Sequence, residues 1–179
     1  MGDYYQTIVA RDVSAEEAPR LATRIRDWLI ERRIIEPELS DCALGEPGHR
    51  PGPKYALAQE TPNPDVLRLS TNGLRIEVGR AVFHNLQPEL TCNACAFRFE
   101  PGDDYQDAVS AWFDGNDAIT FACPECHHAQ RLTKWDGEAP WGLSHLGFTF
   151  WNWSLLSERF VREVSEKLGR RTLLVRDKL

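Results

Sequence analysis

The chain has 179 residues, of which 42% are hydrophobic and 27% are charged, and its formal net charge is −6. This composition is typical of a globular protein and argues against a disordered chain. No apolar run approaches the ~20 residues that a membrane-spanning helix needs. The first residues also lack the basic and then apolar parts of a signal peptide, so we expect a cytoplasmic protein with no membrane contact.

The negative charge is concentrated between Cys92 and Cys126. This window holds seven acidic residues and one basic residue, Arg98, an excess of six that equals the net charge of the whole chain. An acidic segment repels the phosphates of DNA and RNA. We therefore do not expect nucleic acid as a partner.

The first predicted elements are a strand and a helix. Residues 4–11 are rich in β-forming side chains and predict a strand. Ser14 and Glu17 have the spacing of a capping box, and the apolar residues from Ala18 to Leu29 repeat at helical spacing. Pro19 is expected to make the first turn irregular or to delay the start of the helix.

The next predictions are a long loop and a hairpin. Residues 37–64 contain six of the eleven prolines and predict a long irregular segment. Asn72-Gly73 is a strong hairpin-turn signal, which would pair residues 66–71 with residues 74–78. The second of these strands is expected to continue to Phe83.

The second half of the chain predicts two helices and three strands. A helix is expected over residues 103–113, ended by Gly115, and a second helix is expected between Ser154 and Gly169. Strands are expected over residues 130–135, 147–152 and 172–176.

This order of elements predicts an α+β fold. The main domain, residues 1–89 and 136–179, is expected to be a ferredoxin-like antiparallel sheet with helices on one face. Residues 90–135 would be an inserted zinc-ribbon subdomain with a helix between its two cysteine pairs.

Two CxxC motifs form the strongest chemical pattern in the sequence. Cys92 and Cys95 form one pair, Cys123 and Cys126 form the other, and 27 residues separate the pairs. Two thiolates at this spacing bind one side of a tetrahedral ion, so the two motifs predict one structural Zn²⁺. Four cysteines leave no open coordination position, which argues against catalysis at this metal. His127 or His128 could replace one of the ligands.

The Pro/Gly-rich loop 41–55 carries a weaker group of candidate ligand residues. The odd cysteine, Cys42, would need a base such as His49 or His84 to act as a nucleophile. Arg50 and Lys54 could hold a phosphate or carboxylate, although the loop matches no P-loop. The alternative is a buried inert thiol in a rigid surface loop.

Six of the eighteen aromatic residues fall between residues 135 and 153. On a strand, Phe148 and Phe150 would face one way, with Trp151 and Trp153 on the opposite face. One set is expected in the core. The other set would pack against the cysteine-rich part of the chain or anchor a protein partner.

The order of these parts resembles an uncharacterised family of bacterial cytoplasmic proteins. The matching segments are residues 72–77, the two CxxC motifs, residues 147–153 and the terminal helix and strand. Members are sometimes labelled sugar transporter ATPases, but this sequence has no Walker motif. The family implies no activity for the chain.

The leading hypothesis is a zinc-stabilised, non-enzymatic protein that binds another protein. One specific form is an inhibitor or immunity protein whose acidic segment covers a basic toxin or nuclease. Its candidate partner surface comprises Asp103, Asp104, Asp107, Trp151 and Trp153. The alternatives are an enzyme with its site in loop 41–55 and a nucleic-acid-binding zinc ribbon.

Overall fold

A computed structural model of the chain describes residues 2–83, 89–137 and 140–179. Within these ranges the chain forms helices α1 (Ala18–Glu31), α2 (Asp103–Phe113) and α3 (Glu158–Leu168), together with eleven strands. The strands are β1 (Tyr4–Ala10), β2 (Ile35–Ala43), β3 (Glu46–Pro51), β4 (Gly73–Phe83), β5 (Leu90–Thr91), β6 (Arg98–Phe99), β7 (Thr120–Ala122), β8 (Ala129–Arg131), β9 (Asp136–Gly137), β10 (Gly142–Trp151) and β11 (Thr172–Lys178). The α+β prediction is confirmed. No described helix is long and apolar enough to cross a membrane.

The main sheet has six strands in the order β11-β1-β10-β4-β3-β2, and all of its neighbouring strands are antiparallel. The predicted ferredoxin-like topology is not confirmed. All neighbouring strands are antiparallel in that topology too, and its first strand lies between two neighbours as β1 does here, so strand direction does not exclude it. The observed sheet is wider, because β2 and β3 extend it beyond β4.

The main core lies between this sheet and helices α1 and α3. The apolar faces of both helices pack on Ile8, Leu74 and Phe148, with Trp28 stacked on Phe160 at 6.2 Å. The helix α1 begins after the Ser14–Glu17 turn, in which the Ser14 Oγ accepts a hydrogen bond from the Glu17 N–H at 3.2 Å. The delayed start that Pro19 predicts is therefore confirmed.

The long irregular segment predicted over residues 37–64 is wrong in its first half. Strands β2 and β3 form a hairpin, and Leu44 and Gly45 at its turn have positive φ angles of 56° and 79°. This is the pattern of a type I′ turn. Because β2 is an edge strand, Pro37 can lie within it without removing a hydrogen bond from the middle of the sheet.

The hairpin predicted at Asn72-Gly73 is also wrong. Residues Pro64–Arg68 form a 3-10 helix, and the strand that begins at Gly73 pairs with β10 and β3 instead. The buried Asn72 side chain donates to the carbonyls of Val66 and Asn152 at 2.7 and 3.2 Å. A Cβ on Gly73 would overlap the thiol of Cys42, so this glycine serves close packing rather than a turn. The predicted extension of the strand to Phe83 is confirmed.

The elements predicted for the second half of the chain are present, and some of their boundaries differ from the prediction. The bounds of α2 are those predicted, and α3 ends at Gly169, whose φ is 67°. The cap of α3 is Ser157 rather than Ser154, because the Ser157 Oγ accepts from the Phe160 N–H. Strand β8 ends at Arg131, and a 3-10 turn replaces the rest of the strand predicted over residues 130–135.

Candidate metal centre

Each CxxC motif lies at the tip of a short β-hairpin. The first knuckle, residues 92–97, joins β5 to β6, and the second knuckle, residues 123–128, joins β7 to β8. Short strands therefore flank both motifs. They bring two cysteine pairs that are distant in sequence to the same place.

The two knuckles share one backbone conformation despite their different sequences. Ala96 and His127 occupy equivalent positions, with left-handed φ angles of 59° and 58°. The N–H of each donates to the carbonyl of the first cysteine of its motif, Cys92 or Cys123, at 2.9 Å in both cases. His127 thus forms part of the turn, and the cluster that the structure brings together contains cysteines alone.

The four sulfur atoms lie within 4.8 Å of one another. The Sγ atoms of Cys92 and Cys126 are 3.7 Å apart, and those of Cys95 and Cys123 are 3.8 Å apart. A tetrahedron of sulfurs around Zn²⁺, with Zn–S bonds of about 2.3 Å, has edges of about 3.8 Å. A disulfide needs a separation of about 2.05 Å, so these thiols are not bonded to each other. The cluster could hold one metal ion.

The sulfurs are too close to ionise independently. Burial would raise the pKa of the Cys92 thiol, but hydrogen bonds from the backbone N–H groups of Ala94 and Cys95 and from the Cys126 thiol lower it to about 6. A backbone hydrogen bond at Phe97 favours the Cys95 thiolate, yet desolvation and the neighbouring thiols raise its pKa to about 12. A bound cation removes this conflict, because it holds all of its thiol ligands as thiolates.

An aromatic core lies behind the cysteine cluster. Cys92 and Cys123 are buried in it, together with Tyr105 and Trp112 of α2 and Trp135 of the loop after β8. Cys95 and Cys126 are exposed. One side of the site is therefore anchored in packed side chains, while the other side reaches the surface.

The acidic residues of α2 line a groove beside the second knuckle. Asp103, Asp104 and Asp107 are exposed on one side of this groove, and its volume is about 810 Å³. Phe99 and Phe121 contribute apolar side chains to its lining. The groove therefore combines a negative rim with apolar surface, and we call it the acidic groove.

Trp151 and Trp153 are only 7% and 5% exposed. Trp151 packs against Tyr5 at 5.1 Å, on the opposite face of the sheet from Phe150, as predicted. Trp153 follows the end of β10 and packs edge-on against Phe150 at 5.1 Å, so its predicted placement on the other face is wrong. In this fold the two tryptophans are core residues, and neither offers a side chain to a partner.

The candidate residues of loop 41–55 are not gathered into one site. The thiol of Cys42 packs against Gly48 and Gly73 on one face of the sheet. His49 follows Gly48 in β3, so its side chain projects to the other face. Its Nδ1 lies 2.9 Å from the Glu36 carbonyl, and burial lowers the pKa of the imidazole. Arg50 and Lys54 are exposed. His84 lies outside the described residues.

A polar contact region between the main sheet and residues 90–137 was missed at the level of sequence. The buried Arg11 forms an ion pair with Asp136 and donates to the Trp135 carbonyl at 3.0 Å. Asp117 pairs with Arg80 at 2.5 Å and lies 3.2 Å from His145 Nε2. These residues are far apart in sequence and match no motif, so no local pattern could have identified them.

Comparisons with family models, with curated proteins and with solved structures find no match to this chain. The resemblance to a bacterial protein family is therefore unsupported. The cysteine cluster and its surroundings are the basis for any statement about function.

Proposed function

We propose that the chain is a zinc-stabilised protein that binds a basic partner protein through its acidic groove. The single observation that carries the metal part is the set of four sulfur atoms with separations of 3.7 and 3.8 Å. In this proposal Cys92, Cys95, Cys123 and Cys126 bind one Zn²⁺ and hold the two knuckles together.

The ligand set supports a structural role for the metal. Four thiolates in a tetrahedral arrangement suit Zn²⁺ or a single iron ion, and they leave no position for a substrate or water. An iron–sulfur cluster is larger than one ion and would hold the sulfur atoms further apart. The metal therefore stabilises the fold and takes no part in a reaction.

The charge distribution supports a basic partner. All of the negative excess of the chain falls between Cys92 and Cys126, and Asp103, Asp104 and Asp107 line an open groove there. Such a field attracts a basic surface and increases the rate of association. A basic toxin or nuclease, bound in the manner of an inhibitor or immunity protein, is the partner class that this surface fits. Nucleic acid would be repelled by the same charges.

Metal analysis of the purified protein tests the first part. We expect one zinc per chain in the wild type and loss of zinc in Cys123→Ser. Cys42→Ser is the matched control, because Cys42 lies outside the cluster, and it should retain one zinc. Iron in place of zinc, or a wild-type content well below one ion per chain, would contradict the assignment.

Binding at different salt concentrations tests the second part. The variant Asp103→Asn/Asp104→Asn/Asp107→Asn is compared with Glu16→Gln/Glu60→Gln/Glu158→Gln, which removes the same charge from exposed positions elsewhere. The first variant should lose capture of basic proteins from a host lysate at low salt, whereas the second should not. Equal capture by both variants would exclude the acidic groove as the binding surface.

A further inference from the structure

A second groove lies at one end of the main sheet, and no residue of the cysteine cluster lines it. Its volume is about 680 Å³, and residues from β1, β11, the loop after β10 and the 66–69 segment line it. Val66, Leu69 and Leu155 contribute apolar side chains to the walls. Volumes of a few hundred Å³ with mainly apolar walls are typical of small-molecule sites.

Strand alternation decides which charged side chains enter this groove. In the β1–β11 register Tyr4 pairs with Lys178 and Gln6 pairs with Arg176, so these four side chains share one face. The side chains of Tyr5 and Asp177 share the other face, where the Tyr5 hydroxyl donates to the Asp177 carboxylate at 3.2 Å. The groove floor therefore carries two cations. Asp177 also lines the groove, but its carboxylate accepts from Tyr5 on the other face of the sheet.

The two cations of the floor are available to a ligand. Among the residues that the structure describes, neither Arg176 nor Lys178 has an ion-pair partner. The Lys178 ammonium lies 5.0 Å from the ring centre of Tyr4, and the Arg176 Nε makes a long contact of 3.4 Å to Gln6 Oε1. Neither interaction is an ion pair. Asp3 also lines the groove, but its carboxylate accepts a hydrogen bond from Asn152 Nδ2 at 2.6 Å.

Gln6 holds the wall of the groove in place. Its side-chain amide donates to the carbonyls of Trp153 and Ser154 at 3.3 and 3.1 Å, and its Oε1 accepts from the Leu156 N–H at 2.9 Å. The loop after β10 is thus tied to the floor by a buried side chain. The rim stays apolar and open, since Tyr4 is 55% and Leu155 is 53% exposed.

We propose that this groove binds a small amphipathic anion, with its apolar body between Tyr4, Leu69 and Leu155 and its anionic group on Arg176 and Lys178. A carboxylate, sulfonate or phosphate group would serve, because each can accept charge-assisted hydrogen bonds from these side chains. The site is independent of the metal and of the acidic groove.

Two fluorescent probes with the same apolar body separate the charge from the apolar contacts. The anionic probe is 1-anilinonaphthalene-8-sulfonate, and the neutral probe is N-phenyl-1-naphthylamine, which lacks the sulfonate. We expect the anionic probe to bind the zinc-loaded protein at one site per chain. Arg176→Gln and Lys178→Gln should each weaken it ~tenfold while leaving the neutral probe nearly unchanged.

Two further variants control for the apolar wall and for total charge. Leu155→Asp should weaken both probes, because it places a carboxylate at the apolar rim. Arg162→Gln, an exposed arginine of α3 outside this groove, should leave both unchanged. The proposal is overturned if the anionic probe does not saturate, or if Arg176→Gln and Lys178→Gln bind it as the wild type does. It is also overturned if sedimentation shows a dimer that Leu155→Asp dissociates, since the groove would then be a self-association surface.

Discussion

The strands of the main sheet are six to eleven residues long, whereas β5 to β8, which flank the knuckles, have two or three residues each. The sheet is covered by two amphipathic helices, and its core is aliphatic and aromatic. The cysteine segment, residues 90–135, has one helix and a smaller aromatic core that it shares with β10. The long strands supply enough backbone hydrogen bonds to hold the main sheet together. The short hairpins need a further interaction, such as bonds from their cysteines to a metal.

Metal removal should produce the largest difference in stability between the main sheet and the cysteine segment. Structural zinc contributes roughly 10–16 kcal/mol in small peptides, which is comparable to the stability of a whole domain. We therefore expect chelation to abolish hydrogen-exchange protection in the two knuckles, to reduce it in α2, and to leave β1 and β10 protected. Hydrogen exchange before and after chelation measures this order. A uniform loss along the chain would mean that the two regions unfold as one unit.

The aromatic core should make the second largest contribution to the stability of the cysteine segment. Trp112 is fully buried between α2 and β10, and Arg80 stacks on its ring at 5.0 Å. Trp112→Ala leaves a large cavity and should cost ~3–5 kcal/mol of unfolding free energy. Phe113→Ala is the control on the same helix, because Phe113 is 45% exposed, and it should cost much less. Equal losses in chemical denaturation would show that this core does not hold α2.

A smaller effect is expected inside the main sheet at Gly73. A methyl group there overlaps the Cys42 thiol, so Gly73→Ala should cost ~1–3 kcal/mol of unfolding free energy. Cys42→Ala removes the sulfur and should recover part of this loss in the double variant. Chemical denaturation of the four proteins gives the coupling energy between the two positions. Strictly additive losses would show that the contact with Cys42 is not the reason why position 73 needs a glycine.

The features that could be predicted from the sequence are local ones. The bounds of α2 follow from the spacing of its apolar residues and from Gly115, all within one short segment. Each CxxC motif likewise needs only its own turn, and the metal chemistry then predicts that the pairs meet.

The features that could not be predicted depend on distant partners. Gly73 is adjacent to Asn72 in a hairpin-turn pattern, but its role is set by Cys42, which lies on another strand. Proline in β2 is acceptable only because that strand lies at the sheet edge, which the strand order decides. The groove that we propose for amphipathic anions joins the two ends of the chain through the β1–β11 pairing. No local pattern contains this information.

The smallest expected effect concerns the polar contact between the two regions. The hydrogen bond from Arg80 holds the pKa of Asp117 below its usual value, and His145 adds to this shift. A lowered pKa in the folded state means that the carboxylate adds stability above its ordinary pKa, about 3.9, and that this stability is lost as the pH falls through the folded value. Because Asp117 is half exposed, Asp117→Asn should cost only ~0.2–1 kcal/mol at pH 7.

The pH dependence of this small difference is a sharper test than its size. As the pH falls below about 5 and through the lowered pKa of the folded state, the wild-type carboxylate gains a proton, so the unfolding free energies of the wild type and Asp117→Asn should converge. The comparison is restricted to the pH range in which both proteins retain zinc, because zinc release would itself loosen the segment that carries Asp117. High salt at pH 7 should reduce the same difference, since the pair is partly solvated. Asp114→Asn, at an exposed position nearby, is the control for removing one carboxylate from this segment. A difference that neither falls with pH while zinc is retained nor shrinks in high salt would show that Asp117 acts through packing. The ion pair with Arg80 would then not link the sheet to the cysteine segment.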